Sequence, residues 1–180
     1  MSQAAEFFNV AIKDAEALLQ HFDAIERRAP EDGEVLKRAG LVMAVTAWET
    51  YVEDRLQEDV EIRLQAIAGS GVGNFMRRKL EEELKRFHNP DTEKTRRVFR
   101  EFLDVDVTSG WKWDNYQPGD AKKALDRFLS LRGDVVHRSK EIGAAHPVKR
   151  DTLEKVIRFL KGLVAATDRF LDEVRSGSSS

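Results

Sequence analysis

From Ala4 to Arg28 the apolar residues Phe7, Ala11, Ala15, Leu18, Phe22 and Ile25 recur at steps of three and four, the spacing that lines one face of an α-helix. Pro30, Asp32 and Gly33 interrupt the pattern. A second stripe, Leu41, Val45, Trp48, Val52, Leu56, Val60, Leu64 and Ile67, then runs up to the glycines of "GSGVG" and predicts the longest helix of the chain. A third amphipathic stretch, about residues 74–87, stops at "HNPD". There the residue before Pro90 is pushed out of helical geometry and Asp91 is placed to cap the next start. A short fourth helix reaches Leu103. Residues 104–118, "DVDVTSGWKWDNYQP", have no helical period and form the one sizeable loop. Asp120 is the expected N-cap of a fifth helix, whose apolar positions are Leu125, Phe128, Leu129, Val135 and Val136 and which ends soon after Ser139. The last helix carries Leu153, Ile157, Leu160, Val164, Thr167, Leu171 and Val174, nearly a seven-residue repeat, a stripe that packs on another helix.

This pattern predicts an all-α antiparallel bundle of four main helices with short helices and one loop insertion. With no internal repeat and no linker-like tract, residues 1–175 are expected to be one domain, with a flexible serine-rich tail at 176–180. Composition agrees: of 180 residues, 34% are charged, and glycine and proline number only 11 and 4. The net charge of −2 gives no global attraction to nucleic acid, so a site for RNA or DNA has to be a local patch. There is no cysteine, which removes disulfides and thiolate metal sites, and no apolar run of the roughly 20 residues that a membrane span needs. The opening "MSQAAEFF" lacks the build of a secretion signal. The expectation is a cytoplasmic protein with no membrane association.

Several chemistries lack their parts. No glycine-rich loop ends in Lys-Ser or Lys-Thr, and "GSGVG" follows a helix where a phosphate loop follows a strand, so its glycines are read as a helix end. None of the four histidines has a glutamate three residues before it, which argues against a di-metal bundle, and neither a metal nor a cofactor is expected. No strand-to-helix elbow exists to expose a nucleophilic serine. His21, His88 and His146 are read as ordinary surface or core residues.

What stands out is "LSLRGDVVHR", where Arg132 and His137 lie five residues apart at the end of the fifth helix. The spacing alone is weak: 18 arginines and four histidines give roughly 1.2 such pairs by chance. Its context, next to core-type valines in a helix that leads into the last one, resembles the HEPN superfamily, whose members carry Arg-x4-6-His at that place. The similarity extends to "AWETYVEDRL" on the second helix and to the short helices and aromatic insertion upstream of the motif. Within the superfamily the chain resembles the RiboL-PSP-HEPN type, named for its association with RNA ligase and phosphatase modules. Many members carry a polar residue directly after the arginine; this chain has Gly133 there and its carboxylate one step later, at Asp134.

The resemblance implies a ribonuclease that works as a homodimer with its site at the interface, in the setting of a toxin, an antiviral defence effector or an RNA-processing partner, restrained by an antitoxin or another regulatory protein. Geometry gives that dimer a reason. Residues five apart are about 140° apart around a helix, so Arg132 and His137 of one chain do not face one spot, whereas two copies about a two-fold axis bring both kinds of group to a shared cleft. RNA supplies its own nucleophile, the 2′-hydroxyl. An imidazole titrates near pH 6.5 and serves for proton transfer, while a guanidinium holds the phosphate as its charge grows. A metal-independent endoribonuclease follows, with His137 as general acid/base and Arg132 as phosphate stabiliser. The competing reading is a non-catalytic HEPN-type dimeric module that binds RNA, nucleotide or a protein, and a third is a scaffold docked through its last helix.

Around this pair, Asp134 either orients the histidine or is an exposed acid, and Glu49 and Glu53 either neighbour the site or form ion pairs. Arg138 and Lys140 beside the motif, and Arg96, Arg97 and Arg100 of "KTRRVFR", are candidate phosphate contacts. Trp111, Trp113 and Tyr116 stack on bases or, as the better-supported alternative, pin the loop to the bundle.

Overall fold

The computed structural model describes residues 1–25, 30–138 and 148–177, apart from the side chains of residues 30–32, 137 and 138. It contains six α-helices and, among the described residues, no strand: α1 (Gln3–Ile25), α2 (Pro30–Leu64), α3 (Gly71–Leu84), α4 (Thr92–Leu103), α5 (Pro118–Arg138) and α6 (Arg150–Gly177). The all-α bundle expected from the hydrophobic pattern is the observed architecture.

Each start has a local cause. Pro30 opens α2, where a proline costs no hydrogen bond and its fixed φ suits the first turn. Ser70 caps α3 by accepting from the backbone N–H of Gly73 at 3.0 Å, and Asp91 caps α4 by accepting from that of Lys94 at 2.8 Å. At α5 the expectation is corrected: the helix begins at Pro118, and Asp120 lies inside its first turn, where an acid meets the positive end of the helix dipole. Helix α3 likewise begins three residues earlier than the periodicity implied, because the serine cap sets the start. Gly69, at φ 78°, makes the turn that separates α3 from the 3-10 turn (Gln65–Ile67) closing α2.

The core is one hydrophobic cluster to which all six helices contribute. Helices α1 and α2 pair along their lengths, with the Phe8 and Tyr51 rings edge to face at 6.1 Å and Phe22 over Gly33. On α1 the buried face is Ala4, Ala5, Phe8, Ile12, Ala15, Leu19 and Phe22, so the stripe read from the sequence lies partly off it, and Phe7 is 54% exposed. On α2 the predicted positions from Leu41 to Leu64 are all buried, but Ile67 is partly exposed. Helix α6 covers both and buries its predicted positions from Leu153 to Leu171.

The loop before α5 is folded onto this bundle. A turn of 3-10 helix (Val107–Gly110) is followed by a tight turn in which Trp113 and Tyr116 exchange backbone hydrogen bonds at 3.2 and 2.7 Å. Thr92 then ties α4 to α5, its backbone N–H donating to Asp126 at 2.9 Å and its hydroxyl to the Lys122 carbonyl at 3.2 Å. Residues 110–112 lie against Phe170 and Arg169, and Phe128 lies against Phe159. Helix α5 therefore runs antiparallel to α6, and its last turns come level with the start of α6.

Candidate active site

The last two turns of α5 carry Arg132, Gly133, Asp134 and His137. Arg132 is half-buried, and its Nε is shielded from solvent with no hydrogen-bond partner. Among the described residues no carboxylate forms an ion pair with it. A buried donor left unmatched costs free energy. Next to it, a Cβ built at Gly133 would meet nothing within 4 Å, and Val136, one turn on, is 38% exposed. Val136 therefore departs from the expected core position. Asp134 and Gly133 are half-buried. The backbone of His137 is in the final turn of α5, while its side chain and that of Arg138, together with Lys140, His146 and the tail beyond Gly177, lie outside the described residues.

The α4 arginines nominated for phosphate are already engaged. Arg96 is ion-paired to Glu93 at 2.6 Å, Arg97 to Glu83 and to Glu101, and Arg100 to Asp106 at 2.9 Å. Each would have to exchange a carboxylate for a phosphate, and α4 thus forms a solvated, salt-bridged face rather than a free cationic patch. Trp111 leaves the set of base-stacking candidates: it has no exposed surface and packs edge to face on Trp48 at 6.2 Å, because the 3-10 turn drives it into the core. Trp48 is core as expected, and its indole N–H donates to the Pro90 carbonyl at 3.0 Å. Trp113 and Tyr116 remain half-buried at the surface, stacked at 4.8 Å.

Glu49 and Glu53 lie one turn apart on α2. Glu49 is 3.4 Å from His88, a pairing that no sequence signal announced, because the two are 39 residues apart and meet only when the α3–α4 connection folds onto α2. Glu53 is pushed up to about 7 by burial first, and then by the negative charges of Glu49 and Asp54. The structure thus brings Glu49, Glu53 and His88 together, and leaves Arg132 free of all three. Among the described residues no group of His, Asp and Glu is arranged to hold a metal ion, and no helix is long and apolar enough to cross a membrane.

The RiboL-PSP-HEPN family model matches residues 8–173, from the second turn of α1 almost to the end of α6. The chain belongs to the RiboL-PSP-HEPN family. No curated protein and no solved structure matches it significantly. Membership of an all-helical family agrees with the six-helix architecture, and the matched span of this HEPN chain includes both "AWETYVEDRL" on α2 and the Arg132–His137 segment of α5.

Proposed function

We propose that this HEPN domain is a metal-independent endoribonuclease, assembled from two copies of the chain around their α5 helices. The observation that carries the reading is Arg132: a half-buried arginine whose Nε has no partner, set beside Gly133, where no described residue lies within 4 Å of a would-be Cβ, and five residues before a histidine. A guanidinium with unspent donors can take two phosphate oxygens at once and gains strength as the transition state adds negative charge. His137 removes the proton from the 2′-hydroxyl or delivers one to the leaving 5′-oxygen. The 2′-oxygen bonds to phosphorus as the P–O5′ bond breaks, leaving a 2′,3′-cyclic phosphate and a 5′-hydroxyl. Because 500° of helical rotation separates the two residues, a single copy does not converge them, and a two-fold partner does. Asp134 orients the imidazole from the same turn, and Arg138 and Lys140 add contacts to the flanking phosphates.

The test is cleavage of structureless RNA in excess chelator. Wild-type protein is expected to cut RNA and to leave the DNA of the same sequence intact, and His137→Ala and Arg132→Ala are each expected to lose about a hundredfold or more. Cleavage that survives either substitution removes the assigned roles, and a wild type that binds RNA without cutting it is the non-catalytic module. The cytoplasmic setting, and an antitoxin or other regulatory protein as partner, belong to this same reading as a toxin, defence or RNA-processing effector.

A further inference from the structure

Between the Trp113–Tyr116 turn and the first turns of α6 lies a cavity of about 620 Å³, in the size range of a nucleotide-binding pocket. Its aromatic wall is built by the backbone. Trp113 and Tyr116 face each other directly across the turn, so their side chains leave on the same side and stack, with an interplanar angle of 22°. Asp114 takes the left-handed corner at φ 38°, which aspartate tolerates better than most residues. The Trp113 indole lies so close to α6 at Gly162 that a Cβ there would stand 2.2 Å from its Nε1. Phe159 supports both rings from below, at 5.5 and 5.2 Å. The wall is therefore rigid without being sealed.

The polar lining divides into two sets. Lys155 and Arg158 are cations on exposed, flexible stems, Arg158 being 78% exposed. Asp114 and Asp151 are exposed carboxylates, one on the turn and one on α6, with Asp151 3.7 Å from Arg150. The remaining acid nearby, Glu154, is occupied by Arg150 at 2.6 Å and Arg158 at 3.2 Å. Because α5 and α6 run antiparallel and Phe128 meets Phe159 at 5.2 Å, Arg132, one turn past Phe128, is level with Lys155, one turn before Phe159. All of the residues that line the cavity belong to the Trp113–Tyr116 turn and to α6, and none to α5.

We infer that this cavity is a guanine-binding subsite for single-stranded RNA, holding a base of the strand whose phosphate Arg132 takes; the inference rests on the ribonuclease reading above. Aromatic faces stack on any base, so they supply affinity without choice. The carboxylates supply the choice, since an ionised aspartate only accepts hydrogen bonds. Guanine alone presents two adjacent N–H donors, N1–H and the 2-amino group, on its pairing edge. Lys155 meets a flanking backbone phosphate, and Arg158 does so by exchanging Glu154 for it.

The experiment is a titration of the full chain with 2′-O-methyl RNA hexamers, which bind but cannot be cut because the attacking hydroxyl is blocked. The readout is tryptophan emission: Trp48 and Trp111 have no exposed surface, so quenching by a bound base reports Trp113, and Trp113→Phe is expected to abolish the signal. UUGUUU is expected to bind about tenfold tighter than UUAUUU or UUUUUU. The Asp114→Asn, Asp151→Asn double variant should retain binding and shrink that preference to about twofold or less. Tyr116→Ala should weaken all three hexamers by about tenfold, with Tyr116→Phe restoring them. Equal affinity for the three hexamers, or a preference that survives the double aspartate change, overturns the subsite. GMP binding as tightly as UUGUUU overturns the assignment to an RNA strand in favour of a free nucleotide. Guanine preference without RNA cleavage leaves the subsite standing and removes the ribonuclease; cleavage without guanine preference does the reverse.

Discussion

Arg55 has no exposed surface, and it sits within ion-pair distance of Asp59 at 3.2 Å, Asp168 at 3.4 Å and Asp172 at 2.9 Å, joining α2 to α6. Asp59 and Asp168 are themselves buried, and Ser2 donates to Asp168 from its backbone N–H at 3.0 Å. Burial pushes Asp59 up, and only the Arg55 and Arg175 charges oppose that rise. Arg55→Leu strands two buried carboxylates, and chemical denaturation is expected to show a loss of about 3–5 kcal/mol, most of it recovered by adding Asp59→Asn and Asp168→Asn. Glu53 gives a pH signature. Its folded pKa of about 7 lies above the ordinary 4.5, so the folded state keeps a proton that the unfolded state has released. Its contribution is fully present below about pH 4.5 and is lost as the pH rises to about 7. Glu53→Gln should therefore raise the melting temperature at pH 8 and change it little at pH 4, a contrast that thermal scans across this range would register. At this scale the Arg132–His137 spacing could be read along one helix. The pairings of Arg55 with Asp168 and Asp172 and of His88 with Glu49 could not, because those partners are supplied by chain segments far away in sequence.

Among the elements, the loop of residues 104–118 and helix α6 determine each other's shape. Gly110 gives way to the Phe170 ring and Gly162 to the Trp113 indole, each with 2.2 Å between the ring and a would-be Cβ. In Gly162→Ala the gain in helix propensity is about 0.5–1 kcal/mol, and the forced movement of a large ring costs about 1–3 kcal/mol. Overpacking wins, so this variant should be less stable despite its better helix former, and Trp113 emission should shift as the ring leaves α6. The helices themselves were legible from periodicity, because a buried face repeats every three or four residues whatever packs against it. The buried face of α1 was not fully legible. Phe7 and Phe8 are adjacent, both apolar, and only the position of α2 makes Phe8 the core residue, meeting Tyr51, while Phe7 stays half in water.

For the whole molecule, the decisive surface is the one around Gly133, where no described residue lies within 4 Å of a would-be Cβ. Gly133→Trp adds a large side chain where no described residue of the same copy is within reach of its Cβ, so the fold should keep its melting temperature. If the two-fold assembly uses this surface, sedimentation should show monomers for the variant and dimers for the wild type, and RNA cleavage should be lost together with the dimer. A variant that remains dimeric and active would remove the α5–α5 arrangement. The order of the helices, the extent of α6 and the location of the Arg-His pair at the end of α5 follow from the sequence alone, since each depends on interactions among residues a few positions apart: caps, breakers and the 3.6-residue repeat; the start of α2 does not, because Pro30, Asp32 and Gly33, which interrupt the apolar pattern, lie in its first turn. Tertiary structure decided which polar groups are already spent. It paired Arg96, Arg97 and Arg100 with acids, buried Trp111, left the Arg132 Nε without a partner and opened a cavity beside Trp113. Hydrogen bonding, charge pairing and exclusion of water are relations between surfaces, and those surfaces exist only once distant segments have packed together.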